Sequence, residues 1–201
     1  KTAGKQLVCL ANRRLQIGME LFLTKKIFFT VKGTVLKHSH DNEQYLLEPS
    51  FPVHQLPEML ERYGITPLPP YIKNSQLREP YLRKRYQTVF NKFPGSVAAP
   101  TAGLHFTRRL LTKIKKRGCD IKFVTLHVNL GTFAPLTEDA LIHKKLHSEY
   151  FNIDAKTAAF LNSAKKTGRP IIAVGTTVVR TLESGANAKG ILAKLSGNTE
   201  L

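Results

Sequence analysis

The sequence predicts an α/β protein in two parts, a small β unit followed by a βα repeat. Three observations carry that expectation. Residues 16–49 hold short apolar or alternating segments between turn-like breaks, residues 65–73 (ITPLPPYIK) hold three prolines, and residues 107–183 alternate helix and strand patterns. In the first part, MELFL, IFFTVKGTVL and QYLLEP read as strands separated by KK and HDN, which suits a small β-barrel-like unit over residues 1–66. Proline removes a backbone donor and disfavours helix before it, so ITPLPPYIK reads as an extended crossing. Residues 67–84 are then a linker and return strand, and residues 85–201 a second domain.

At the start of that domain, RKRYQ (83–87) places an aromatic and an amide beside cations, suited to gripping phosphate and stacking a base, or simply to a solvated strand edge. The segment Pro94–Phe106, PGSVAAPTAGLHF, combines two prolines, two glycines and three alanines with a histidine and two hydroxyls. It fits neither helical nor strand periodicity, so it is a shaped loop whose backbone passes close to something. A helix over 107–117 follows, with Thr107 as N-cap, an apolar stripe of Leu110, Leu111 and Ile114, and Gly118 as stop. The loop thus ends where helix N–H groups favour anions.

The runs DIKFVTLHV (120–128) and PIIAV (170–174) read as buried parallel strands, with a helix over 154–167 between them and another from 176. Asp154 and Thr176 or Thr177 are the expected N-caps, and Gly168 a stop. Right-handed βα units imply an open doubly wound sheet or a closed α/β barrel, and both place ligands at strand C-termini. The loops there, NLGTF (129–133) and GTT (175–177), each join glycine to a threonine hydroxyl, as anion-binding loops do and as simple helix caps do too.

The chain of 201 residues is 42% hydrophobic, enough to bury a core. Cys9 and Cys119 form neither a disulfide framework nor a metal-ligand spacing, no leader peptide is recognisable, and no apolar run spans a bilayer, so a cytoplasmic, membrane-free protein is expected. The chain opens at Lys1 rather than methionine and is expected to be a fragment. Its formal charge of +17 points to a polyanionic partner, nucleic acid above all. Residues 1–84 hold 13 basic and 7 acidic side chains and residues 85–201 hold 18 and 7, so the second part carries most of the excess.

Among side chains with chemistry, His143 and His147 lie one helical turn apart in HKKLHSEY, near Glu149. A zinc site needs further ligands, and neither an HExxH arrangement nor a cysteine pair supplies them, so no metal is expected. His105 and His127 fall where a strand-end cleft is expected, each a general base or a core histidine bonded to backbone. Arg180 and Glu183 are one turn apart, consistent with a surface ion pair. Without GxGxxG, Walker A or GxSxG, the usual dinucleotide, nucleotide-hydrolase and α/β-hydrolase functions lack support.

Four blocks, RYQTVFNKFPGSVAAPTAGLHFT, LHVNLGTFAPL, HKKLHSEYFNI and IIAVGTTVVRTLES, resemble in order and spacing the signature segments of the S-adenosylmethionine:tRNA ribosyltransferase-isomerases of queuosine biosynthesis. The resemblance covers most of residues 64–184, and the family is longer at both ends. Departures are Asn129 for Gly, Ala134 for Arg, Leu146 for Met and Val178 for Ser, of which the lost arginine would weaken an anion contact.

The resemblance implies an α/β-barrel-like domain with a small inserted β-barrel domain, S-adenosylmethionine as co-substrate with no prosthetic group, and tRNA bearing 7-aminomethyl-7-deazaguanine as partner of a monomer. It further implies His105, Glu149 and His127 as candidate bases. Thr101, Thr132, Thr176, Thr177 and Arg180 would hold ribose hydroxyls or the methionine carboxylate, Gly95, Gly103, Gly131 and Gly175 would allow close backbone approach, and Tyr86, Gln87 and His147 would contact substrate. The competing classes are a non-catalytic RNA-binding module and an unrelated barrel enzyme for a phosphorylated small molecule.

Overall fold

The computed structural model describes residues 2–3, 6–11, 13–35, 44–69, 72, 76–129, 142 and 148–200, divided into two compact units, Lys1–Ile65 and Thr66–Leu201. In the first, strands β1 (Thr2–Ala3), β2 (Gln6–Leu10), β3 (Glu20–Phe22), β4 (Phe28–Val35) and β5 (Gln44–Pro49) form one antiparallel sheet in the order β1-β2-β5-β4-β3. Alternation in QYLLEP turns Tyr45 and Leu47 inward, where they meet Val31 with Cys9, Leu21 and Phe29 around them. The Tyr45 hydroxyl accepts a hydrogen bond from the Leu15 N–H at 3.2 Å, so a buried phenol also pins a loop. The β4–β5 register slips between Val31 and Gly33, and Lys32 at that bulge reaches Glu48 at 2.8 Å. Helix α1 (Leu56–Tyr63) follows, with proline in its first turn.

The second unit contains helix α2 (Glu79–Arg85), helix α3 (Arg108–Lys116), strands β6 (Thr125–His127) and β7 (Glu149–Asn152), helices α4 (Ala155–Lys166) and α5 (Thr176–Gly185), and strand β8 (Ser196–Thr199). Thr107 and Asp154 cap α3 and α4 through side-chain acceptors, 3.1 Å from the Leu110 N–H and 2.9 Å from the Thr157 N–H. Strands β6, β7 and β8 form an antiparallel sheet in that order. Its buried face joins Leu126, Val128, Phe151 and Ile153 to Ala158 of α4, with Leu182 of α5 and Leu192 packed against them. Among the described residues no helix is long and apolar enough to cross a membrane.

The mixed α/β class is present, but among the described residues the expected parallel strands are not. Of the run 120–128, Thr125–His127 form a ladder, and its partner β7 runs antiparallel. Residues 171–174 form no ladder among the described residues, and Ile172 is 84% exposed. An apolar run specifies burial on two faces without specifying a partner, and here no described strand lies alongside. Both sheets are antiparallel, and among the described residues neither closes into a barrel.

Two local expectations are corrected as well. Helix α5 begins at Thr176 itself, with Gly175 at the cap position and no capping side chain. Gly175 has φ 89°, a left-handed turn that redirects the chain and leaves Thr176 and Thr177 already inside the helix. RKRYQ ends a helix in place of a solvated strand, because Pro80 in the first turn and Glu79 near the helix N-terminus favour helical entry. That helix occupies the stretch where a return strand is expected. Glu79 is also held from outside, accepting from the Thr66 N–H at 2.7 Å and from the Thr66 hydroxyl at 2.5 Å.

Candidate active site

The segment Pro94–Phe106 is fastened along β6 and Val128 by three hydrogen bonds, two of them through one hydroxyl. Ser96 Oγ donates to the Leu126 carbonyl at 3.2 Å and accepts from the Val128 N–H at 3.1 Å, while the Val97 N–H donates to the Val128 carbonyl at 3.1 Å. Gly95, at φ 134°, lies against His127 so closely that an added Cβ would come 2.6 Å from its Nδ1. The far end of the segment makes a 3-10 turn, Thr101–His105, in which Gly103 is buried against Thr88 and Phe90 and His105 is exposed. Ala102 in the same turn faces Gly175, where a Cβ would sit 3.3 Å from its own. The loop therefore contacts both the histidine strand and the glycine turn of α5.

Directly across the β6–β7 ladder from His127 is Tyr150, whose ring stacks with the imidazole at a centroid separation of 6.0 Å. Alternation along β7 turns the neighbouring Glu149 inward, to 2% exposure. Its carboxylate accepts from Arg180 Nη1 and, through Oε1, from the Asn129 N–H at 3.2 Å. Arg180 Nη2 donates to the Thr199 carbonyl at 3.2 Å, and Ser184 Oγ lies 2.5 Å from Thr199 Oγ1. A buried carboxylate requires a cation and further donors to offset desolvation, and this network supplies them. The expected Arg180–Glu183 surface pair is thus replaced by a buried pair linking α5 to β7 and β8.

The other expected residues distribute unevenly. Thr101 and Thr176 are exposed and Thr177 half-buried. Thr177 offers its carbonyl to the Thr181 hydroxyl at 2.9 Å. Tyr86 is buried, 7% exposed, whereas Gln87 is exposed and its Oε1 accepts from Asn91 Nδ2 at 2.8 Å. Gly131, Thr132, Ala134, His143, Leu146 and His147 lie outside the described residues, where the metal expectation also falls. Ser96, Asn129, Tyr150, Ser184 and Thr199 are participants that sequence reasoning did not select. Of these, Tyr150 had a usable signal, since EYFNI alternates as a half-buried strand does.

Within the site, the arrangement offers one exposed imidazole on a tight turn, one half-buried imidazole between a glycine and a tyrosine, and a buried ion pair beneath. The exposed imidazole of His105 is open to a substrate, whereas Glu149 is committed to Arg180 and a backbone N–H.

Residues 3–201 match the model of a family described as queuosine biosynthesis protein. The S-adenosylmethionine:tRNA ribosyltransferase-isomerase of Clostridioides difficile is 51% identical over 144 residues, 72% of this chain and 41% of that protein. The protein of the same name from Treponema denticola is 54% identical over 132 residues, 66% of this chain and 38% of the relative. That from Carboxydothermus hydrogenoformans is 51% identical over 144 residues, again 72% and 41%. The chain thus spans about two fifths of the length of the curated relatives it matches. Because the family model covers nearly every residue, including the loop, the two histidine positions and the glycine turn of α5, this chain belongs to the queuosine biosynthesis protein family.

Proposed function

We infer that the protein transfers and isomerises the ribosyl moiety of S-adenosylmethionine onto 7-aminomethyl-7-deazaguanine at the tRNA wobble position, forming epoxyqueuosine and releasing adenine and methionine. The observation that supports this most is the convergence of Pro94–Phe106 on both His127 and Gly175, which gathers three of the resembling blocks around one loop. The names of relatives about half identical to this chain support it independently.

The chemistry sets what the residues must do. A sulfonium acidifies the adjacent 5′-carbon, so a base there takes a proton to form an ylide, and the bond from C1′ to adenine breaks with adenine leaving protonated. The neutral aminomethyl nitrogen forms its bond to a carbon of the former ribose, and the C5′–S bond breaks to release methionine as the epoxide closes. His105, exposed at the end of its 3-10 turn, is our first candidate base, and His127, set between Gly95 and Tyr150, the next. Glu149 ranks below both, since its carboxylate is already engaged, and with Arg180 it holds α5 in place. Thr101, Thr132, Thr176 and Thr177 are then left to position ribose hydroxyls or the methionine carboxylate, and Gly131 and His147 to contact substrate. Gln87 addresses the rim of the deazaguanine, and tRNA is held by the basic surface as an unstacked loop.

Mixing the protein with S-adenosylmethionine and precursor tRNA and measuring free adenine tests this directly. Stoichiometric adenine is expected from wild type, and a loss of two or more orders of magnitude in single-turnover rate from His105→Ala. Tight tRNA binding without adenine would instead identify a non-catalytic RNA-binding module. Full activity in His105→Ala would remove that residue as the base.

A further inference from the structure

Helix α2, the residues after it and the turn bearing His105 border an open cleft of about 430 Å³ lined by Tyr81, Lys84, Arg85, Gln87 and Leu104. Tyr81 is 60% exposed on a helix, and no described carboxylate pairs with Lys84 or Arg85. Arg83, by contrast, lies 3.6 Å from Glu79. The Arg78 guanidinium sits 5.9 Å from the centroid of the Tyr81 ring, so a cation already borders that π-surface. Tyr86 is buried and offers no open face.

We propose that this cleft is a subsite for one unstacked nucleotide of single-stranded RNA, its base stacked on Tyr81 and its phosphate held by Lys84 and Arg85. The proposal rests on the tRNA substrate inferred above and assigns stacking to a residue the sequence pattern did not single out. An exposed aromatic flanked by cations is the arrangement that binds single strands, because every base has a π-face and every nucleotide a phosphate. An acidic protein segment would satisfy the cations but would leave Tyr81 without a flat partner. Leu104 directly precedes His105, so a nucleotide seated here anchors the RNA beside the candidate base.

Binding of a fluorescent anticodon stem-loop RNA to the protein, measured across a range of salt concentrations alongside adenine release, tests the assignment. Tyr81→Ala should weaken binding roughly five- to 150-fold, the range for losing one base–aromatic stack, while Tyr81→Phe retains wild-type affinity. Replacing Lys84 and Arg85 with glutamine should reduce the slope of log K against log salt by about 1.4, two single-strand phosphate contacts. Unchanged affinity in Tyr81→Ala, absence of RNA binding by wild type, or equal displacement of RNA by poly-glutamate would each overturn the subsite. RNA binding that depends on Tyr81 without adenine release would sustain the subsite and refute the reaction.

Discussion

Glu149 and Arg180 show how a single pair fixes local geometry. Removing one partner strands a buried charge, so Glu149→Ala should cost about 3 kcal/mol, the lower end for buried pairs because Arg180 keeps some solvent contact. Chemical denaturation would register this, and replacing both partners with leucine and methionine should recover much of the loss. Gly95 makes a second residue-scale prediction. Alanine there meets the His127 ring and a disfavoured φ, so Gly95→Ala should shift the His127 imidazole resonances and lower thermal stability, whereas Gly118→Ala, with open space at its Cβ position, should leave those resonances unmoved. His105 and His127 stand out in the sequence by residue type and position, and the fold sets one at the end of the loop and the other on the strand that the loop contacts. The partner of Glu149 was not, because Arg180 lies 31 residues away and only the fold brings it near.

At the level of elements, the caps were the most legible features, since Thr107 and Asp154 act on groups three residues along the chain. The Thr157 hydroxyl and N–H, with smaller help from elsewhere, hold the Asp154 carboxyl below its ordinary pKa. Its contribution is therefore complete above the ordinary value near 4 and is lost as pH falls through the lowered folded value. Asp154→Asn should keep most of the cap at neutral pH yet flatten the acid limb of the stability curve, which thermal melts between about pH 2 and 7 would display. The strands were less legible. PIIAV has strand composition without a described ladder, while β7 was overlooked inside HSEYFN, because pairing is decided by neighbours and not by the segment.

Across the whole molecule, the charge of +17 was plain from composition, and under the proposed function it predicts an RNA affinity that depends steeply on salt. If six phosphates are met, raising salt from about 50 to 200 mM should weaken binding by about two to three orders of magnitude. A flat salt response would deny the basic surface that role. The exposed cations Arg108, Arg109, Lys113, Lys115 and Lys116 of α3 are the natural contributors beyond the cleft. The antiparallel course of both sheets could not be read from hydrophobic runs, since parallel and antiparallel strands share the same residues when both faces are covered.

Ser96 carries a consequence beyond the pocket. Among the described residues strand β6 is the outermost of its sheet, and an outermost strand offers unpaired amides and carbonyls to any other chain. By satisfying Leu126 and Val128 from one hydroxyl, with Val97 completing the seam, the loop gives β6 an imitation neighbour that is not a strand. The same loop thus covers an edge that would otherwise be open to another chain, besides its part in the proposed site. A change that loosens the loop, such as Ser96→Ala, should appear as concentration-dependent aggregation before it appears as lost catalysis.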